Sequence, residues 1–142
     1  MGTRSHTLVT GGWPHQEPST YLGIYRQFDG YPEGMGLHLA MFLNDMTIVN
    51  GLNHDRNNIA NGPGCLAAQL VKHLKEGPGN VYIEPADLLG EEEFVYRVNV
   101  TYPSPSSREL YGAIRFTAWE GTMKNVPFFD GTPAEFIDRF AT

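Results

Sequence analysis

Two stretches in the second half of the chain place apolar residues at every second position. Residues 94–102 do so with aromatic and β-branched side chains, and residues 110–118 do so with Leu110, Ile114 and Phe116. Such alternation is typical of strands that bury one face. Three shorter segments are rich in β-branched and aromatic residues, which also favours strands. These segments are 3–10, 20–28 and 81–83.

Three other segments show the spacing of an amphipathic helix, with apolar residues three and four positions apart. The second has Pro63 in its first turn and Gly77 after its last, and both residues are common at helix ends. The third opens with Thr132 and Glu135, the pattern of a capping box. We predict helices over 34–44, 63–76 and 132–140.

This order of elements predicts an α+β fold, with a mainly antiparallel sheet and about three helices packed on one face. A chain of 142 residues is long enough for one domain with its own core. No linker or change of composition divides it, so we predict a single domain over 1–142.

Composition narrows the classes of partner. The net charge of -6 disfavours a nucleic-acid polymer or an anionic membrane as partner, because both repel an acidic protein at long range. No apolar run approaches the ~20 residues of a membrane span, and the first residues do not form a secretory signal. Cys65 is the single cysteine and forms no internal disulfide, which favours the cytoplasm. The five histidines show no metal-ligand spacing, so we expect no metal and no cofactor.

The segment from Tyr25 to Gly36 is the strongest indication of a ligand site. It connects a predicted strand to a predicted helix, and such loops often bind ligands. Arg26 is suited to a phosphate or carboxylate, and Gln27, Asp29 and Tyr31 add polar and aromatic contacts. A plain turn with a local ion pair between Arg26 and Asp29 explains the same residues equally well.

The start of the second predicted helix is a weaker candidate. Gly62 and Gly64 would let an anion approach the free N–H groups there. A tight turn that needs glycine only for its backbone geometry is the preferred interpretation.

Cys65 lies in the same turn, where a thiolate is favoured. A catalytic role as the nucleophile of a hydrolase or transferase would need a base, and His6, His38 and His54 are the candidates. We favour instead a small buried residue that does not react.

Arg97 and Arg115 alternate with the apolar positions of their strands, and Arg115 shares a face with Trp119. Arginines beside aromatic rings form surfaces that bind other proteins or stack on bases. The simpler interpretation, a solvated sheet face, is preferred.

Three segments resemble a family of small bacterial and phage proteins to which no activity is assigned. They are MGTRS at the start, YRQFDGYPEGMG and NGPGCLAAQLVKHLK, and the likeness continues to Val100. The resemblance implies an intracellular, phage-type protein. The family has a histidine or another polar residue where this chain has Met35, which removes one contact if that position belongs to a site.

Together these features favour a non-enzymatic, homo-oligomeric protein that binds a small anionic, nucleotide-like ligand and sequesters it. The alternatives are a protein-interaction or inhibitor module that uses the Arg115 and Trp119 face, and an enzyme that uses Cys65.

Overall fold

The computed structural model describes residues 2–13, 16–50, 58–85, 91–102 and 111–142. The strands in chain order are β1 (Ser5–Gly11), β2 (Ser19–Arg26), β3 (Thr47–Val49), β4 (Ile59–Asn61), β5 (Val81–Ile83), β6 (Glu91–Thr101), β7 (Ala113–Thr122) and β8 (Phe129–Gly131). Six of them form one sheet in the order β5-β2-β1-β6-β7-β8, while β3 and β4 form a small parallel pair.

The predicted α+β class is confirmed, and the sheet is mixed. Neighbouring strands are antiparallel except β1 and β6, which run parallel with Ser5 opposite Phe94 and Gly11 opposite Val100. The parallel pair brings the start of the chain into the middle of the sheet. The alternation along β6 and β7 then decides which side chains face the helices.

The helices are α1 (Leu37–Asn44), α2 (Gly62–Leu74) and α3 (Pro133–Phe140). A wide turn precedes α1, in which the N–H of Gly36 donates to the carbonyl oxygen of Tyr31, 3.4 Å away. The predicted capping box of α3 is present. The Glu135 N–H donates to Thr132 Oγ1 at 3.2 Å, and the Thr132 N–H donates to Glu135 Oε1 at 2.9 Å.

One hydrophobic core lies between the helices and one face of the sheet. Phe136 of α3 is fully buried there, with ring centroids 5.0 Å from those of both Phe116 and Phe129. A smaller cluster of Leu8, Val95 and Trp119 lies on the opposite face. The helices therefore share a core with one side of the sheet, as the alternation predicted.

Some sequence predictions concern residues that the structure does not describe. The candidate base His54 lies outside the described residues, and so does Leu110 at the start of the alternation over 110–118. Among the helices of the described residues, none combines the length and apolar character that crossing a bilayer requires.

Candidate functional site

Arg26 is the last residue of β2, and its half-buried side chain extends towards α1. Its Nε donates to the carbonyl oxygen of Phe28 at 2.7 Å, and one terminal nitrogen lies 3.1 Å from Met35 Sδ and 3.2 Å from His38 Nδ1. Within the described residues no carboxylate lies at ion-pair distance from this guanidinium. Its positive charge is therefore not neutralised by that part of the protein.

Two imidazoles meet beyond this guanidinium. Nε2 of His38 lies 3.2 Å from Nε2 of His73, and the ring centroids are 5.0 Å apart. Arginine can only donate hydrogen bonds, so Nδ1 of His38 accepts and its proton is on Nε2. That proton is donated to Nε2 of His73, which leaves the His73 proton on Nδ1. The chain of hydrogen bonds runs in one direction, from Arg26 through His38, and ends in an N–H donor on His73.

The charge state of His38 agrees with this direction. Burial lowers the pKa of His38, and the nearby charge of Arg26 lowers it further. The imidazole is therefore neutral near pH 7, as the assigned tautomer requires. A metal ion on Nε2 of His38 would place the ring proton on Nδ1, where it would face the N–H of Arg26, and two donors cannot form a hydrogen bond. The described residues also contain no group of three metal-ligating side chains.

The two histidines line a cleft between α1 and α2. Its larger part, about 530 Å3, is bounded by both histidines, by Met41, Phe42 and Met46, and by Asp45 and Asn58. A smaller part of about 380 Å3 shares Phe42, Met46 and His73 and adds Gln69 and Lys72. The residues of each helix are three or four positions apart, so they share one helical face. The cleft thus joins an apolar wall to several polar groups.

The predicted loop site also contains Gln27, Asp29 and Tyr31, and each forms a hydrogen bond within the protein. Gln27 and Asn80 exchange two bonds, because each backbone N–H donates to an oxygen of the other residue, at 2.9 and 3.2 Å. The Tyr31 hydroxyl donates to Asp29 Oδ1 at 3.2 Å, and the charge of Asp29 raises the pKa of Tyr31. The local ion pair between Arg26 and Asp29 is not present. Of these four residues, only Arg26 contacts a residue that lines the cleft.

The predicted helix-start site lies at the start of α2, whereas His73 is near the end of that helix. Gly64 lies beside the ring of Tyr21, which precedes Arg26 by five residues on β2. Five residues of strand span roughly 17 Å. Gly62 has a φ of +85° and lies against the indole ring of Trp13, so packing and backbone geometry explain the glycine. The structure therefore does not bring the two predicted parts together.

The expectation that Cys65 is buried was wrong, because its thiol is exposed. Position 65 is on the solvent-facing side of α2, and Sγ lies 3.6 Å from Gln69 Oε1. His6 is buried in β1, and His38 is engaged with His73. Among the described residues, no imidazole forms a hydrogen bond with the thiol. The described residues thus supply no base for a catalytic cysteine.

The face with Arg97 and Arg115 is held by internal contacts. Arg115 forms two hydrogen bonds with Asp130, at 2.7 and 2.8 Å, which lowers the pKa of that carboxyl. Arg97 lies over the Trp119 ring, 5.2 Å from its centroid. Trp119 itself is only 5% exposed. Its ring is therefore not free to stack on a base.

No match is found when the chain is compared with known protein families, with curated proteins and with solved structures.

Proposed function

We propose that this protein is a non-enzymatic binder of a small anionic, nucleotide-like ligand, and that the cleft between α1 and α2 is the binding site. The observation that supports this most is the directed chain from Arg26 through His38 to His73. The chain ends at His73, a residue of the cleft wall, and begins at a guanidinium with no counter-ion among the described residues. Hydrogen bonds in such a chain polarise one another, which strengthens the last donor.

Size and composition of the cleft fit the same class of ligand. Small-molecule sites typically occupy about 300–1,000 Å3, with mostly apolar walls and a few placed polar groups. The ring of Phe42 lies 4.6 Å from that of His73 at an angle of 31°, so one aromatic surface borders both parts of the cleft. An aromatic base could pack against Met41 and Phe42 while an anionic group takes bonds from His73 and Lys72.

Sequestration requires tight binding and no chemical step, so the proposal assigns no nucleophile to the cleft. The proposal includes a homo-oligomer, because a phage-type sequestering protein gains capacity from several sites in one particle. Light scattering of the purified protein tests that part separately from binding.

Calorimetry and thermal shift with a panel of mono- and cyclic nucleotides test the proposal. We expect heat of binding and a melting temperature that rises with the logarithm of ligand concentration. Arg26→Gln and Lys72→Gln remove positive charge at the cleft, and each is expected to weaken binding about 5- to 50-fold. Lys124→Gln removes the same charge from the turn after β7 and should leave affinity unchanged.

Absence of heat and of any melting shift across the panel would overturn the proposal. Equal weakening of binding by Lys72→Gln and Lys124→Gln would show that only net charge matters. The cleft would then not be the binding site. The interaction module would then be the leading alternative, although on that face Trp119 is buried and Arg115 is already paired with Asp130.

A further inference from the structure

The carboxylate of Asp45 lies on the wall of the larger cavity, and the described residues give it no partner. Asp45 directly follows α1, one helical turn beyond Met41, and its side chain is exposed. Among the described residues, no cation and no hydrogen-bond donor contacts its carboxylate. Asn58 donates from Nδ2 to the backbone carbonyl oxygen of Asp45 at 3.3 Å, so this amide holds the backbone rather than the side chain.

The position of Asp45 is unfavourable for the helix that it ends. The carboxyl end of a helix has partial negative charge, and an acidic residue there is destabilising. The last turn of α1 contains no basic residue to offset it. Within the part of the chain that the structure describes, the electrostatics of the helix end therefore does not explain an aspartate at this position. Residues that oppose their local structure are often functional.

The two ends of the cleft differ in hydrogen-bond chemistry. His73 and Lys72 present donors on the α2 side, and Asp45 presents only acceptors at the end of α1. His38, which meets His73, and Asp45 are seven residues apart on α1, roughly 10 Å along the helix axis. Met41 and Phe42 lie between them. A complementary ligand has an acceptor or anion at one end, an apolar ring in the middle and N–H donors at the other end.

We infer that Asp45 binds the paired N–H donors of a guanine base and thereby selects guanine nucleotides over adenine nucleotides. This inference rests on the proposed function. A carboxylate has two oxygens that accept two parallel hydrogen bonds, and guanine presents adjacent donors at N1 and N2. Adenine presents a single donor group beside the N1 acceptor, which repels a carboxylate oxygen. Inosine has the N1 donor without the N2 donor and is an intermediate case.

Calorimetry with GMP, IMP and AMP on the full chain tests the inference. We expect GMP to bind roughly 5- to 150-fold more tightly than AMP, the range for one bidentate contact with a base, and IMP to lie between them. Asp45→Asn replaces one acceptor with a donor and should bring the ratio of GMP to AMP affinity close to one. The same variant should melt at a higher temperature without ligand, because it removes a negative charge from the end of α1.

Asp138→Asn is the matched control, since it removes an exposed aspartate near the end of α3, away from the cleft. It should leave the ratio of affinities unchanged. Binding of AMP as tight as that of GMP, in a protein that binds both, would overturn the inference and leave the proposed function standing. The same ratio in Asp45→Asn as in the unchanged protein would also overturn it. A protein that binds none of the three nucleotides, and no other member of the panel, would overturn both.

Discussion

Stability should fall as the pH drops below about 6.5, and His38 should account for a measurable share of the loss. The pKa of His38 is lowered by burial and by Arg26 from its ordinary value of 6.5. His6 behaves in the same way, because burial outweighs the opposing attraction of Glu92 and Glu84, whose oxygens lie 3.8 and 4.0 Å from Nε2. Both imidazoles are therefore held neutral in the folded protein.

The size of the effect follows from the protons that each state binds. Below pH 6.5 the unfolded chain protonates both imidazoles, while the folded protein resists, so the free energy of unfolding rises with pH in this window. A full difference of one proton is worth about 1.36 kcal/mol for each pH unit. Two histidines give an upper limit of about 2.7 kcal/mol per pH unit, which is a large part of the stability of a small domain. The loss continues until the pH passes through the folded-state pKa values.

Urea unfolding of the ligand-free protein at several values between about pH 5.5 and 7.5 measures this slope. His38→Gln removes one titrating group and should reduce the slope by up to about 1.4 kcal/mol per pH unit. His6→Gln is the parallel variant at a site outside the cleft and should reduce it similarly. A slope in His38→Gln equal to that of the unchanged protein would refute the assignment of His38 as a neutral imidazole held by Arg26.

Three further predictions concern the rest of the fold. Gly62→Ala should lower the free energy of unfolding by about 1–3 kcal/mol, because a Cβ at a φ of +85° meets the ring of Trp13. Gly64→Ala in the same helix should raise it, because a Cβ there makes only ordinary contacts, and urea unfolding of the two variants compares them. Phe136→Ala should lower the free energy of unfolding by about 3–5 kcal/mol in the same assay, since its ring is fully buried between aromatic neighbours. A decrease below about 1 kcal/mol would contradict the described core. Cys65 should be alkylated by iodoacetamide in the folded protein without denaturant, and mass spectrometry that finds labelling only after unfolding would contradict its exposure.

The sequence predicted those parts of the fold that depend on local pattern. Alternation along 94–102 located most of β6, and the capping box located the start of α3, because both signals lie within a few adjacent residues. The strand β8 has three residues, too few to show a period. The parallel pairing of β1 with β6 was also not predicted, since it joins residues 89 positions apart and depends on the assembled sheet.

The candidate site was predicted only in part, because most of its contacts join residues that are far apart in the sequence. Arg26 was identified from a loop rich in charged and aromatic groups. Its contact with His38 and the pairing of His38 with His73 depend on how α1 and α2 pack, and the two histidines are 35 residues apart. The one local signal was the spacing of His38, Phe42 and Asp45 along one face of α1, at intervals typical of a shared helical surface. That pattern shows a face but not what lies opposite it.

The central claim is that a hydrogen-bond chain ends in an N–H donor of His73 that binds an anion in the cleft. Nitrogen-15 NMR of the imidazole side chains, with and without GMP, tests it most directly. Near pH 7 we expect the ligand-free protein to have the His38 proton on Nε2 and the His73 proton on Nδ1. Addition of GMP should shift the Nδ1 resonance of His73 and leave both resonances of His6 unchanged. A His38 proton on Nδ1, or a His73 ring that does not respond while GMP binds, would contradict the account.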